Sequence, residues 1–487
     1  MRPILRLLDD ELIDRIIAEA REVVCKLGFE IHNKPVFAML ADHGAQVDEG
    51  NWNACLTEDL IDQALATVPR AFKLYDVLGN ETHDFRGDNV YFTPGSTALN
   101  ILDNRSGELR RPSTLDYIRY VKVTSGLQHL ASQSTALIPA DVHDKISDGY
   151  RLYLSLLYGE KPVVTGAFTV EGFEIMKDLQ VAVRGNGPAL RAKPLTIFSA
   201  CPTAPLKWSD VTSQNLVDCA RWSIPVELIS MPLSGLVAPV TLVGSLVQQT
   251  AENLSGVVIS QLVNPGHPIL YGGSPAIFDV RFGTTPMGAM ETMMLDCANS
   301  EVGKRLGMPT QSYIALSDAK QLDAQAGIET GIGATLAGLS GINSISGPGM
   351  LDFESCLSLE KLVVDNEICG MTYRLLRGIE PREDFPALPL FQELRREKSL
   401  LIADHTRRHL REEITFPGPV IDRANRERWH EGGRLTLRER AAQEVSRLLE
   451  EYTPSRLPEE TKMELKRLMQ HEAQRHEMEA LPTTENA

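Results

Sequence analysis

GMPTQSYIALSDAKQLDAQAG, residues 307–327, opens on a turn, runs through a β-favouring stretch at about 311–316, and stops at Ser317, Asp318 and Lys320. The pattern predicts a buried strand that ends in a small hydroxyl, a carboxylate and an amine. Those groups either start the next helix or line a site. Seven other stretches share the texture: VYFTPGS (90–96), LASQSTALIP (130–139), PVVTGAF (162–168), PLTIFSACP (194–202), IPVELISMPLSG (224–235), HPILYGGSP (267–275) and INSISGPG (342–349). Helical periodicity fills the intervals at 209–222, 240–263, 288–306 and 321–340, and follows the last run at 358–377. Strand starts recur at intervals of roughly 30 to 43 residues, the rhythm of a (β/α)8 TIM barrel of ~250 residues. Run after run finishes in Gly, Ser, Thr, Pro or Cys, as a barrel's C-terminal rim requires where backbone must approach a ligand. A doubly wound sheet would also alternate strands and helices, but no G-x-G-x-x-G opens the first unit.

The expected fold is therefore α/β: a barrel over 91–380, an N-terminal α/β extension over 1–90 and a C-terminal helical region over 381–487. In the extension, DELIDRIIAEAREVVCKLG predicts a helix with Leu12, Ile16, Ala20 and Val23 on one face and Gly28 as its stop, and Thr57 caps a second helix that closes before Pro69. In the tail, opposite charges at helical spacing mark solvated helix faces. His405 and His409 stand four apart there, a metal-binding spacing without the glutamate of an H-E-x-x-H motif.

Composition narrows the function. A chain of 487 residues, 43% hydrophobic, buries a large core, and its formal charge of −16 argues against a phosphate-backbone partner. No long uncharged apolar run suggests a membrane span, and acids within the first ten residues argue against a secretory signal, so a cytoplasmic location is expected. Seven dispersed cysteines without C-x-x-C spacing read as reduced thiols, neither a disulfide framework nor a metal site. The charged terminal helices are compatible with a homo-oligomer.

DVHDKI (141–146) partly matches the D-x-H-x-x-G loop whose histidine ligates cobalt in corrinoid-binding domains, but Ile146 stands where glycine permits close approach. Lys320 could serve as a Schiff-base lysine, although that chemistry needs a desolvated amine. The glycines of INSISGPGM could cradle an anion with their amides or form an ordinary tight turn.

Four blocks, SACPTAPLKWS (199–209), the stretch from IPVELIS to YGGSP (224–275), SDAKQLDAQAGIE (317–329) and SGPGMLDFESCLSLEKLVVDNEI (346–368), resemble the trimethylamine:corrinoid methyltransferase family. The likeness spans about 10–430 and is densest over 195–380. It implies a barrel that passes a substrate methyl group to the cob(I)alamin of a separate corrinoid protein docked over its mouth, with no metal of its own. Archetypal members carry pyrrolysine two residues before the SDAK block, where this chain has Ala315. The resemblance therefore points to the branch lacking that residue, which acts on quaternary amines, glycine betaine first, then proline betaine, carnitine or choline. Such a cation is held by aromatic faces, each worth roughly 0.5–2 kcal/mol.

The candidate substrate-binding residues are Tyr91, Phe92, Phe168, Tyr271, Phe278, Phe282 and Tyr313, any of which also suits barrel packing, with Gly347 and Gly349 as amide donors. Glu227, interrupting an apolar strand, and Glu291 are the candidate carboxylates; Ala315, Ser317, Asp318 and Lys320 complete the pocket set. The rival readings are a barrel lyase or aldolase using Lys320 and a non-catalytic betaine-binding barrel.

Overall fold

The computed structural model describes residues 2–103, 106–478 and 480–484 of a mixed α/β chain. Each of the eight predicted runs carries a strand: β1 (Tyr91–Thr93), β2 (Gln133–Ser134), β3 (Val163–Thr165), β4 (Thr196–Ala200), β5 (Val226–Ser230), β6 (Ile269–Gly273), β7 (Gln311–Tyr313) and β8 (Ser344–Ser346). All eight pair in parallel, β2 to β6 in one five-stranded sheet and β7, β8 and β1 in a three-stranded one. Single parallel bridges, Phe92 with Leu130 and Tyr271 with Thr310, link the edges of the two sheets.

A helix follows every strand, and local chemistry starts several of them at the strand ends. Ser209, Asp323 and Ser358 each accept a hydrogen bond from an amide in the first turn of Asp210–Trp222, Ala324–Leu339 and Leu359–Leu376, caps worth about 1 kcal/mol each. Helix Leu242–Val263 is buried almost all round, because Asp10–Glu22 and Glu58–Thr67 pack on the side turned from the strands. The buried face of Asp10–Glu22 and the wider turn after it is Ile13, Ile16, Ala20 and Val24, rotated from the predicted face. Helices Leu437–Glu450 and Glu459–Arg475 pair their solvated faces with buried ones: Ala441, Val445, Leu465 and Met469 join the same hydrophobic cluster as Ile13.

Below the strands, the hairpin of Lys73–Tyr75 and Glu81–Asp84 inserts Leu74 among Val164, Ile197 and Leu270, with Phe85 and Tyr91 beside it. This plug seals the end away from the loops that carry the site. Among the described residues, no helix is long and apolar enough to cross a membrane.

The β7 segment departs from expectation in two places. The strand ends at Tyr313, because the amides of Ile314 and Ala315 both turn to the Ser346 carbonyl, each at 3.2 Å. The helix begins only at Ala324, so Ser317, Asp318 and Lys320 lie in a loop. Gly333 of that helix is pressed on β7: a Cβ there would lie 2.1 Å from the Ile314 carbonyl oxygen. Gly333→Ala is therefore expected to lose ~3 kcal/mol in urea unfolding, because a backbone carbonyl cannot turn aside. Gly331→Ala on the same helix, with nothing within 4 Å of the new carbon, should be neutral or slightly stabilising; equal midpoints for the two would refute this account.

Candidate active site

A cavity of about 390 Å³ lies at the C-terminal ends of the strands, lined by Ser96, Thr135, Thr165, Phe168, Ser199, Cys201, Ile229, Ser274, Tyr313 and Glu354 among others. Strand alternation supplies much of the wall. In β5, Ile229 faces the cavity, and Glu227, two residues before it, points the same way. Its neighbour on β4, Ser199, donates to one Glu227 oxygen at 2.7 Å, while the other oxygen has no partner and is fully buried. Burial pushes the Glu227 carboxyl up to about 7, against the pull of the Ser199 bond.

Glu354 reaches the same chamber from the loop after β8. Asp352, Phe353 and Glu354 all have left-handed backbone, with φ of 50°, 56° and 65°, at a cost of roughly 1–2 kcal/mol per residue. A run of three such non-glycine residues holding a carboxyl at a cavity is strain of the kind found at functional sites. The Ser96 amide donates to the Glu354 carboxyl at 3.4 Å. Burial raises that carboxyl to about 8; the amide opposes the shift and the Glu227 charge adds to it. The two acids also act on their neighbours. Burial, then the charges of Glu227 and Glu354, push the Cys201 thiol up to about 12 and the Tyr313 phenol well above its usual value. The Tyr313 hydroxyl lies 3.0 Å from that of Ser96. At neutral pH the chamber thus holds a coupled acid pair that is only partly ionised, between neutral hydroxyls.

Of the predicted aromatic residues, Phe168 and Tyr313 meet at this cavity. Phe168 is 51% exposed, and the Arg151 guanidinium lies 4.8 Å from its ring centroid. Tyr91 packs on the plug beside His83 and Phe85. Phe92 points outward against Tyr373, and Tyr271 outward to Thr250, its hydroxyl donating at 3.1 Å. Phe278 is half-buried after β6, Phe282 is exposed under Arg281, and Glu291 is exposed in the first turn of Met290–Arg305. A strand places only alternate side chains inside, and Phe92 and Tyr271 fall on the outer register.

The SDAK segment serves the rim. Asp318 accepts the amides of Met287 at 3.0 Å and Gly288 at 2.7 Å, fastening the loop before Met290–Arg305. Burial raises its carboxyl to about 6, against those amides. Glu329 takes the Ser317 hydroxyl at 2.5 Å and the Asp318 amide at 2.8 Å. Lys320 is 61% exposed, donates to the Asp318 carbonyl, pairs with Asp352 at 3.3 Å and sits 3.8 Å from the Phe353 ring centroid. Ala315 is fully buried, and Gly347 crosses it so closely that a Cβ there would lie 2.7 Å from the Ala315 carbonyl carbon. Gly349 donates its amide to the buried Asp365 at 2.7 Å, so that donor is already used within the fold. Among the described residues, no cluster of three or more His, Cys, Asp or Glu could hold a metal ion, and His405 and His409 stack edge to face.

Glu354 is absent from the residues that the sequence marks, although it lies within the 346–368 block that carries the family resemblance. With Asp352 two residues before it, Glu354 lacks the isolated setting in an apolar strand that marks Glu227. Around the mouth, Phe168, Met231, Leu236, Val240 and Val280 expose apolar surface, a rim suited to a docked macromolecule.

A family model described as trimethylamine methyltransferase (MTTB) matches residues 1–477. Trimethylamine methyltransferase MttB of Desulfitobacterium hafniense is 27% identical over 461 residues, 95% of this chain and 92% of its own. The glycine betaine methyltransferase of another strain of that species is 26% identical over 460 residues, covering 94% and 95%. MttB of Methanosarcina thermophila is 28% identical over 92% and 93%. The crystal structure of the Methanosarcina barkeri monomethylamine methyltransferase (MtmB) superposes with a TM-score of 0.52 at 11% identity, covering 77% of this chain and 76% of that one.

Proposed function

The chain belongs to the trimethylamine methyltransferase family and is a methyltransferase, and from that premise we propose that it moves a methyl group from a small quaternary amine to the Co(I) corrinoid of a separate protein. The observation that carries this reading is the cavity lined by Glu354, Phe168 and Tyr313, with Glu227 buried behind its Ser199 wall, an environment matched to a methylated cation. We also read the eight parallel strands, with their two linking bridges, as a closed (β/α)8 barrel whose C-terminal mouth is the site.

A quaternary nitrogen has no lone pair for an imine carbon to trap, so a residue as inert as Ala315 suffices. A Co(I) corrinoid presented by the partner would supply the electron pair for the methyl group, with the C–N bonding electrons left on nitrogen and a neutral tertiary amine released. The protein holds the ammonium against Phe168 and Tyr313, balances its charge with the acid pair, and keeps water from below with the Leu74 plug. The apolar rim offers the corrinoid protein a seat. Glycine betaine, named for one relative, is the first substrate that the resemblance suggests.

The test is the ultraviolet–visible spectrum of cob(I)alamin mixed with the protein and each amine in turn. Conversion to methylcobalamin with a quaternary amine and not with trimethylamine is the expected result. Lys320→Ala should keep the activity within about twofold, because that amine is solvated and ion-paired and so unlike a desolvated Schiff-base lysine. Borohydride trapping of a carbonyl substrate at Lys320, with no methyl transfer from any amine, would replace this reading with an aldolase.

A further inference from the structure

The charge balance of the cavity constrains the substrate beyond its methylated nitrogen. Glu354 lines the chamber and Glu227 is buried directly behind Ser199 of its wall, and among the described residues that line it none is Lys, Arg or His. Arg151, beneath the Phe168 ring, is buried outside the lining: its terminal nitrogens pair with Asp148 at 2.8 Å and donate to the Thr135 carbonyl at 3.2 Å, and its unpartnered Nε is buried. Lys320 is turned to Asp352. What the walls offer besides the acids is neutral, namely hydroxyls, the Cys201 thiol and the Asn215 carboxamide, and much of it is paired: Thr135 with Thr165 at 3.2 Å, Ser199 with Glu227, Ser96 with Tyr313, and the Asn215 amide with the Ala167 carbonyl at 3.1 Å.

We propose, on the basis of the methyl-transfer reading above, that the site selects methylated ammonium ions whose remaining arm is uncharged, alkyl or hydroxyalkyl, over betaines that carry a carboxylate. An ammonium ion offsets the charge of the acid pair. A betaine brings a further carboxylate within a few ångströms of its own nitrogen, into a chamber of about 390 Å³ with no cation to receive it, and like charges confined at low dielectric repel. A hydroxyalkyl arm meets hydroxyl walls that can donate or accept at will. The carboxylate-bearing substrate suggested by the resemblance is therefore the poorer match to these walls.

Isothermal titration calorimetry of the full chain with tetramethylammonium, choline and glycine betaine, at about pH 8 where the acid pair is substantially ionised, tests this directly. Both carboxylate-free cations are expected to bind at least ~10-fold more tightly than glycine betaine. Glu354→Gln, checked for an unchanged circular dichroism spectrum, should narrow that ratio at least threefold by relieving the repulsion. Glycine betaine binding as tightly as choline would overturn the proposal and leave the methyl-transfer reading in place; binding of none of the three would also overturn it. Cations binding in the expected order, with no methyl group reaching the corrinoid from any of them, would uphold the selectivity and sink the methyl-transfer reading.

Discussion

Glutamine in place of Glu227 is expected to raise KM for a methylated ammonium by ~10²-fold while kcat is unchanged or rises by up to about threefold. The split follows from where charge goes. The substrate nitrogen is fully cationic in the ground state and loses that charge as the C–N bond breaks, so a carboxylate beside it holds the substrate more strongly than the transition state. In the wild-type enzyme, KM should fall as pH rises through about 7 towards 8, as the pair formed by Glu227 and Glu354 ionises. Cys201 and Tyr313, which face the same charges, stay protonated in that window because both are pushed up. An equal loss in kcat with KM unmoved would mean that Glu227 acts on the transition state instead.

The same substitution has an opposite effect on stability. Glu227 in the folded protein titrates at about 7, above the usual carboxyl value, so between pH ~4.5 and ~7 the native state binds more protons than the unfolded chain. Stability therefore falls as pH rises through that window. Glutamine mimics the neutral acid and removes this loss, so Glu227→Gln should match wild type near pH 5 and exceed it by up to ~3 kcal/mol at pH 8 in urea titrations without ligand. A saturating cation should shrink the difference. Wild type and variant with parallel pH profiles would show that burial does not strain this carboxyl.

Lys361→Met is expected to cost ~3–5 kcal/mol, the typical loss when one partner of a buried ion pair is removed. Lys361 and Asp365 are both essentially inaccessible; the ammonium bonds the carboxylate at 2.5 Å and the Thr330 hydroxyl at 2.9 Å. The same Asp365 oxygen holds the Gly349 amide, and Gly349 closes the turn that leads toward Asp352, Phe353 and Glu354. Loss of the ammonium leaves a buried carboxylate uncompensated, which burial already pushes toward its neutral form. Lys361→Met with Asp365→Leu should recover part of the stability, since no charge remains buried, but the Gly349 amide is then orphaned and ligand affinity stays low. A single variant within 1 kcal/mol of wild type would show that the pair contributes little to fold or loop.

Periodicity made all eight strands legible, because a strand buried on both sides needs a run of branched or apolar residues and a rim needs small ones. The solvated character of Lys320 was also readable, since polar residues crowd around it. What failed was side-chain direction. Phe92 and Tyr271 are aromatic residues in buried parallel strands, yet both pack outward against helices. Composition cannot tell the two registers apart when both faces are buried, because the inner and outer surfaces of such a strand are equally dry. Phe278 and Phe282 lie beyond β6, where no ladder sets direction.

The order of elements, the family and the absence of an imine electrophile at Ala315 were thus determined by the amino-acid sequence, through local propensity and short motifs. The charge of the site was decided only in three dimensions. Glu227 and Glu354 are more than a hundred residues apart, and nothing local marks them as partners. They meet because one points inward from β5 and the other is held by a strained left-handed loop after β8, and burial then raises both carboxyls together. Proximity beside a cavity and the loss of solvent are properties of the packed chain, and they turn two ordinary glutamates into a coupled acid pair with raised titration.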